Sequence, residues 1–159
     1  MEEQYLSVMI RSLEKKSRIL DGVIRENEIQ SELFGRNDRE SEDEINACIE
    51  RKGELIDELD KLDEGFTTLF EKVERELKDN SVQYAPQISR MQELIRKVTD
   101  QSVKIEAQER QNHTLASRYF SGAHKRVNEK RATRNAADVY RKNMKKISVI
   151  APQFMDRKK

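Results

Sequence analysis

Tryptophan is absent from the chain, cysteine occurs once, proline twice and glycine five times in 159 residues. So few turn formers exclude a sandwich or barrel assembled from many short strands. The lone Cys48 permits no internal disulfide, which fits a reducing compartment. No run of about 18 apolar residues is present, which excludes a membrane-spanning helix. The opening residues carry Glu2 and Glu3 and no apolar signal core, which predicts a cytoplasmic protein. In that compartment the sequon at Asn112 would go unused.

Apolar mass is also scarce. Hydrophobic residues make up 35% of the chain and charged residues 38%, whereas a compact domain carries about 45–50% and about 25%. A thick core is thereby excluded, and the composition predicts long amphipathic helices joined along narrow seams.

Signals for catalysis and cofactors are missing too. The sequence has no glycine-rich phosphate loop, no nucleophile elbow and no paired cysteines. His113 and His124 share a helix face but stand roughly 16 Å apart, too far to share one metal ion. Cys48 beside Ile49 reads as a small core or boundary residue, with no histidine nearby in sequence to activate its thiol. No enzyme, metal site or cofactor is expected.

What the chain does contain is periodicity. From 2 to 34, Leu6, Met9, Ile10, Leu13, Leu20, Val23, Ile24 and Leu33 mostly recur at three- and four-residue steps, one stripe on a helix. Residues 35–38 interrupt it, and Ser41 with Glu44 predicts a capping box for a second helix, 41–79. There Ile45, Lys52, Leu59, Phe66 and Val73 repeat every seven residues, with Ile49, Ile56, Leu62, Leu69 or Phe70 and Leu77 between them. Lys52 is the polar exception, and its stem is expected to lie along the seam while its ammonium reaches water. A third helix, 86–122, opens on Pro86, a residue suited to the first turn. Its seam runs through Ile88, Met91, Ile95, Val98 and Ile105, then thins at Ser102, Glu109 and Asn112. Polar seam positions either fix register or mark where the helix leaves its neighbours.

Charge is strongly segregated. Residues 1–80 carry 23 acidic and 13 basic side chains, and residues 118–159 carry 3 and 13. The front and the tail can therefore attract each other, and salt would weaken that attraction. The tail holds a basic strip of Arg126, Lys130, Arg134, Arg141, Lys142 and Lys145. Such a strip suits phosphates or an acidic protein surface, but no nucleic-acid reading motif accompanies it. Between these charges runs an apolar stripe of Ile105, Leu115, Tyr119, Phe120, Val127, Tyr140, Met144 and Ile147. It suits capture of an amphipathic helix from a partner, or packing on the chain's own bundle or on a second copy. A continuous helix from Pro86 to Lys146 would span roughly 90 Å and overhang a second helix of roughly 58 Å. A bend near Gly122 would instead fold the tail back on the acidic front.

The tract at 50–62, with Lys52, Glu54, Leu55, Ile56, Leu59 and Leu62, follows a long amphipathic first helix and resembles flagellar type III export chaperones of the FlgN/FliT kind. Residues 108–115 look like the family's third-helix segment, with Asn112 and Leu115 matching and Ala116 standing where a second large apolar residue is usual. Residues 139–144 and 153–159 look like the ends of small proteins encoded among flagellar genes. The resemblance implies a cytosolic helical chaperone. It would hold the terminal amphipathic helix of a hook-associated or filament protein soluble until export, and would meet the export apparatus. A last helix regulating the binding face is implied by the same likeness.

The expectation is an all-α, elongated three-helix antiparallel bundle over residues 1–122, extended by a long basic C-terminal helix or tail, 123–159. It acts by binding protein, with room for a homodimer. A self-associating coiled-coil scaffold and a basic-tailed nucleic-acid or membrane-surface adaptor are the alternative readings.

Overall fold

A computed structural model describes residues 4–79, 81–124 and 136–146, and every regular element among them is helical. Four helices follow in order: α1 (Tyr5–Arg36), α2 (Glu42–Glu64), α3 (Phe66–Leu77) and α4 (Ala85–His124). A further helical segment, α5, covers 136–146.

α1 is the axis of the molecule, and α2, α3 and α4 all pack against it. Side-chain pairs set the directions. Lys16 meets Asp63, and Cys48 and Arg51 meet Glu26, so partner numbers fall as α1 advances and α2 runs antiparallel to it. Glu14 meets Arg90, Ser17 meets Gln101 and Asn27 meets Asn112, so α4 runs parallel to α1. The path is up, down and up again, as expected for three consecutive helices with short connections.

Capping explains the element ends. At the N-terminus of α1, Gln4 makes no side-chain cap. The Glu76 carboxylate of α3 accepts hydrogen bonds from the backbone N–H groups of Tyr5 and Leu6 at 3.1 and 3.0 Å, placing a negative charge on first-turn donors that have no partner within the helix. At the other end Asn37 adopts the left-handed conformation, φ 49°, and its N–H donates to the Phe34 carbonyl. The expected capping box does not form. Ser41 makes no side-chain cap, and its N–H donates to Asp38 Oδ1 at 2.9 Å. Glu42, Asp43 and Glu44 in the first turn of α2 supply the favourable charge instead. The expected single helix over 41–79 is divided at Gly65, and α3 ends at Leu77.

Two apolar clusters form the core. The larger joins Leu6, Met9, Leu13, Leu20 and Val23 of α1 to Ile56, Leu59 and Val73, and to Met91, Leu94, Val98 and Ile105 of α4. The smaller gathers Leu33, Phe34, Ile45, Ile49, Ala116, Tyr119, Ala136 and Tyr140, with Leu115, Phe120 and Met144 against it. α5 therefore returns along the bundle and turns its upper part into four helices. The expected three-helix count applies only below it. Residues 136–146 do not overhang.

Candidate functional site

The seat of α5 is built on α1, α2 and α4. Tyr140, Asn143 and Lys146 of α5 meet Lys52, Gly53 and Asp57 of α2 in that order, so the two helices run parallel. The Tyr140 ring lies 5.8 Å from that of Phe34 and edge-on to it, and 6.5 Å from that of Phe120. Phe34 also touches Tyr119 and Phe120 at 5.6 and 5.7 Å, completing a four-ring cluster with the tilted and edge geometries that aromatic quadrupoles favour.

Beneath the rings is a buried polar layer. Lys52 is fully buried, and its Nζ pairs with the Glu109 carboxylate and donates to Gln30 Oε1 at 3.3 Å. The expectation that its ammonium reaches water is overturned. Tyr140 covers the pair, its ring centroid 5.3 Å from Nζ and its hydroxyl 3.5 Å from Glu109 Oε2. Burial pulls the Lys52 pKa down, and the opposing pull of Glu109 does not offset it. Burial and the Glu109 charge both push the Tyr140 phenol up. Removing one member of such a pair strands a buried charge and costs about 3–5 kcal/mol, whereas replacing both by apolar groups is often neutral.

Amides extend the layer across α1 and α4. Asn27 Nδ2 donates to Gln108 Oε1 at 3.1 Å, and Asn112 Nδ2 donates to the Asn27 carbonyl at 2.9 Å. The polar seam positions Glu109 and Asn112 thus enter the interior rather than solvent. A second polar contact lies lower, where Lys16 reaches Asp63 at 2.8 Å. Burial moves both of these groups toward neutrality, Lys16 down and Asp63 up.

At the lower end of α5 the contacts reach the surface. Lys146 donates to Asp57 at 2.7 Å and lies 3.6 Å from Asp60, and the hydrogen bond to Asp57 raises its pKa. Asn143 is buried against Gly53, and its Nδ2 has no hydrogen-bond partner among the described residues. An unsatisfied buried amide costs about 1–3 kcal/mol. Among the described residues α5 is thus held by the Tyr140 ring, by Ala136 and Met144 in the smaller cluster and by the Lys146 contact, and by few hydrogen bonds.

Of the apolar residues singled out in the sequence, Ile105, Tyr119 and Tyr140 are buried in the chain's own core, and Leu115, Phe120 and Met144 pack against it. They do not form an open stripe, because Leu33 and Phe34 of α1, Ile45 and Ile49 of α2 and the returning α5 close around the upper part of α4. Val127 and Ile147 lie outside the described residues, as do Arg126, Lys130 and Arg134. In the rest of the basic strip, Arg141 pairs with Asp138, and Lys142 and Lys145 are exposed. Pairing with the acidic front is made by Lys146, the next residue of the same basic run. Gln30 and Asn27 were not singled out, although both interrupt the apolar stripe of α1 three and four residues from Ile24, Leu33 and Phe34. Cys48 is buried as expected, its thiol donating to the Glu26 carbonyl and carboxylate.

Among the described residues no group of three or more metal-ligating side chains could hold an ion, and no helix is long and apolar enough to cross a membrane. Fold and site together describe an all-helical bundle whose most elaborate feature is a helix-on-helix seat. No family model, curated protein or solved structure matches the chain.

Proposed function

We propose that the protein is a cytosolic export chaperone. It binds the terminal amphipathic helix of a flagellar hook-associated or filament protein, keeps it soluble and releases it at the export apparatus. The observation that carries this reading is α5 itself, an amphipathic helix seated on α1, α2 and α4 through Tyr140, Ala136 and Met144, with a surface ion contact at Lys146 and few hydrogen bonds. Such a seat suits helix exchange, since the docked helix gives up little hydrogen bonding on leaving. The resemblance of residues 50–62 and 108–115 to the FlgN/FliT kind supplies the class of client. In this mechanism α5 covers the seat until a client helix replaces it, and no covalent chemistry is involved.

The test is co-purification of the full chain with type III export substrates from a flagellated bacterium. The reading requires a hook-associated or filament protein that is lost when its terminal helix is deleted and gained when Tyr140→Leu loosens α5. Recovery of the chain alone would put a self-associating scaffold in its place. Recovery of nucleic acid would favour the adaptor.

A further inference from the structure

We propose that the seat of α5 selects partner helices that carry an aromatic side chain over the Lys52–Glu109 pair and a cation six residues further on, against Asp57 and Asp60. The inference rests on reading this seat as the client site, and it names the chemistry the client must present.

Lys52 is fully buried and Glu109 is 5% exposed, so whatever lies on top of them excludes water from two charges. An aliphatic side chain there would bury apolar area but offer the ammonium no attraction. An aromatic ring returns attraction between its electron-rich face and the ammonium, and the Tyr140 centroid lies 5.3 Å from Lys52 Nζ, within the roughly 6 Å at which that attraction counts. The ring also meets Phe34 edge-on. A generic amphipathic helix of leucines lacks both of these ring contacts and is therefore held less tightly.

Spacing supplies the remainder. Three residues beyond the aromatic, the facing position on α2 is Gly53. A Cβ added there would meet Asn143 at 3.6 Å, an ordinary contact, so a side chain the size of asparagine fills the space. Six residues beyond, about 9 Å along a helix, Lys146 reaches Asp57 and Asp60. Those two carboxylates flank the seat on the acidic front of the chain, and they orient an incoming helix by its basic end.

The test uses the full chain and a fluorescent peptide of residues 134–148, with binding read by anisotropy. The host is Tyr140→Leu, in which the resident helix competes less, and Lys146→Glu is a second host that weakens α5 by another route. Cooperative thermal unfolding is verified for each. The peptide is expected to bind both hosts more tightly than the unaltered chain. Within the peptide series, Tyr→Phe at the 140 position should change affinity by less than about threefold, because the ring is kept. Tyr→Leu should weaken it about tenfold or more. Lys→Glu at the 146 position should weaken binding severalfold, and an Asp57→Lys change in the Tyr140→Leu host should restore it.

A Tyr→Leu peptide that binds as well as its parent overturns the proposal, as does absence of saturable binding to both hosts. A concentration-dependent dimer that blocks the peptide would assign the seat to a second copy and also overturns it. Occupation by the chain's own residues 147–159 is tested by deleting them, and a Tyr-selective gain in peptide affinity only after that deletion would count against a partner helix. None of these measurements uses an export substrate. A flat peptide series therefore leaves the chaperone reading to its own test, and failure to recover a substrate leaves the selectivity intact.

Discussion

Cys48 is held where its thiol keeps its proton well above the ordinary range. It lies buried on α2, its Sγ 3.1 Å from Glu26 Oε1 and 3.3 Å from the Glu26 carbonyl. Burial, then the hydrogen bond to Glu26, push its pKa from 9.0 up to about 12. Between those values the unfolded chain has lost the proton and the folded chain keeps it, so this group's contribution to stability is complete below pH 9 and drains as pH rises toward 12. By pH 11 the loss should be roughly 2–3 kcal/mol. Tyr140, also raised, acts in the same direction, and Lys52, lowered, acts in the opposite one. Subtraction of a Cys48→Ala variant isolates the thiol. Urea unfolding at pH 8 and pH 11 should show the unaltered chain losing more stability than Cys48→Ala, and parallel losses would contradict a buried, carboxylate-bound thiol. The sequence placed Cys48 correctly because Ile45 and Ile49 define the buried face around it. It misplaced the head of Lys52 because Glu109, the charge that draws that head inward, is 57 residues away and no local window contains it.

Along the elements, periodicity revealed faces better than it revealed ends. The seven-residue repeat from Ile45 to Val73 passes through Gly65 without a change of phase, and Phe66 and Val73 still join the cluster around α1. The helix nevertheless divides there, with Gly65 at φ −95° and ψ 3°. That conformation is open to any L-residue, and a Cβ at Gly65 would meet nothing within 4 Å. Gly65→Ala should therefore stabilise the chain by about 0.4–1 kcal/mol, chiefly by restricting the unfolded state. Gly22 is the contrasting case, since a Cβ there would come within 3.1 Å of Leu55 Cδ1. Thermal unfolding of Gly65→Ala is the check, and a lowered midpoint would mean that the division between α2 and α3 needs glycine. The Ser41–Glu44 pattern failed for a related reason. The Ser41 N–H that a reciprocal box requires is taken by Asp38, one turn earlier, and the pattern rule does not see that competitor.

Across the whole molecule, the segregation of charge and the path of the chain reinforce each other. The four rings of Phe34, Tyr119, Phe120 and Tyr140 could be named as conspicuous from the sequence, except Phe34, yet not as a single cluster. Their meeting depends on the return of 136–146 along α2, and nothing in the spacing of Tyr140 chooses between a helix that overhangs and one that folds back. Charge was the better guide, because an acidic front and a basic tail favour the folded-back path, and among the described residues Lys146 on Asp57 and Asp60 makes such a contact. Both partners are well exposed, so the contact is worth only about 0.2–1 kcal/mol and is screened by salt. Tyr140 and the ring cluster are buried and respond much less. Raising NaCl from about 0.05 to about 0.5 M should therefore speed amide hydrogen exchange in 136–146 by about 1.5- to 5-fold. Exchange around Leu20 and Val23 in α1, whose contacts are apolar, should not move. Lys146→Glu should raise the low-salt rate and reverse the sign of the salt response, because screening then relieves a repulsion. Equal acceleration in α1 and in 136–146 would mean that salt acts on the bundle as a whole. In that case the attraction between front and tail is not what holds α5 down.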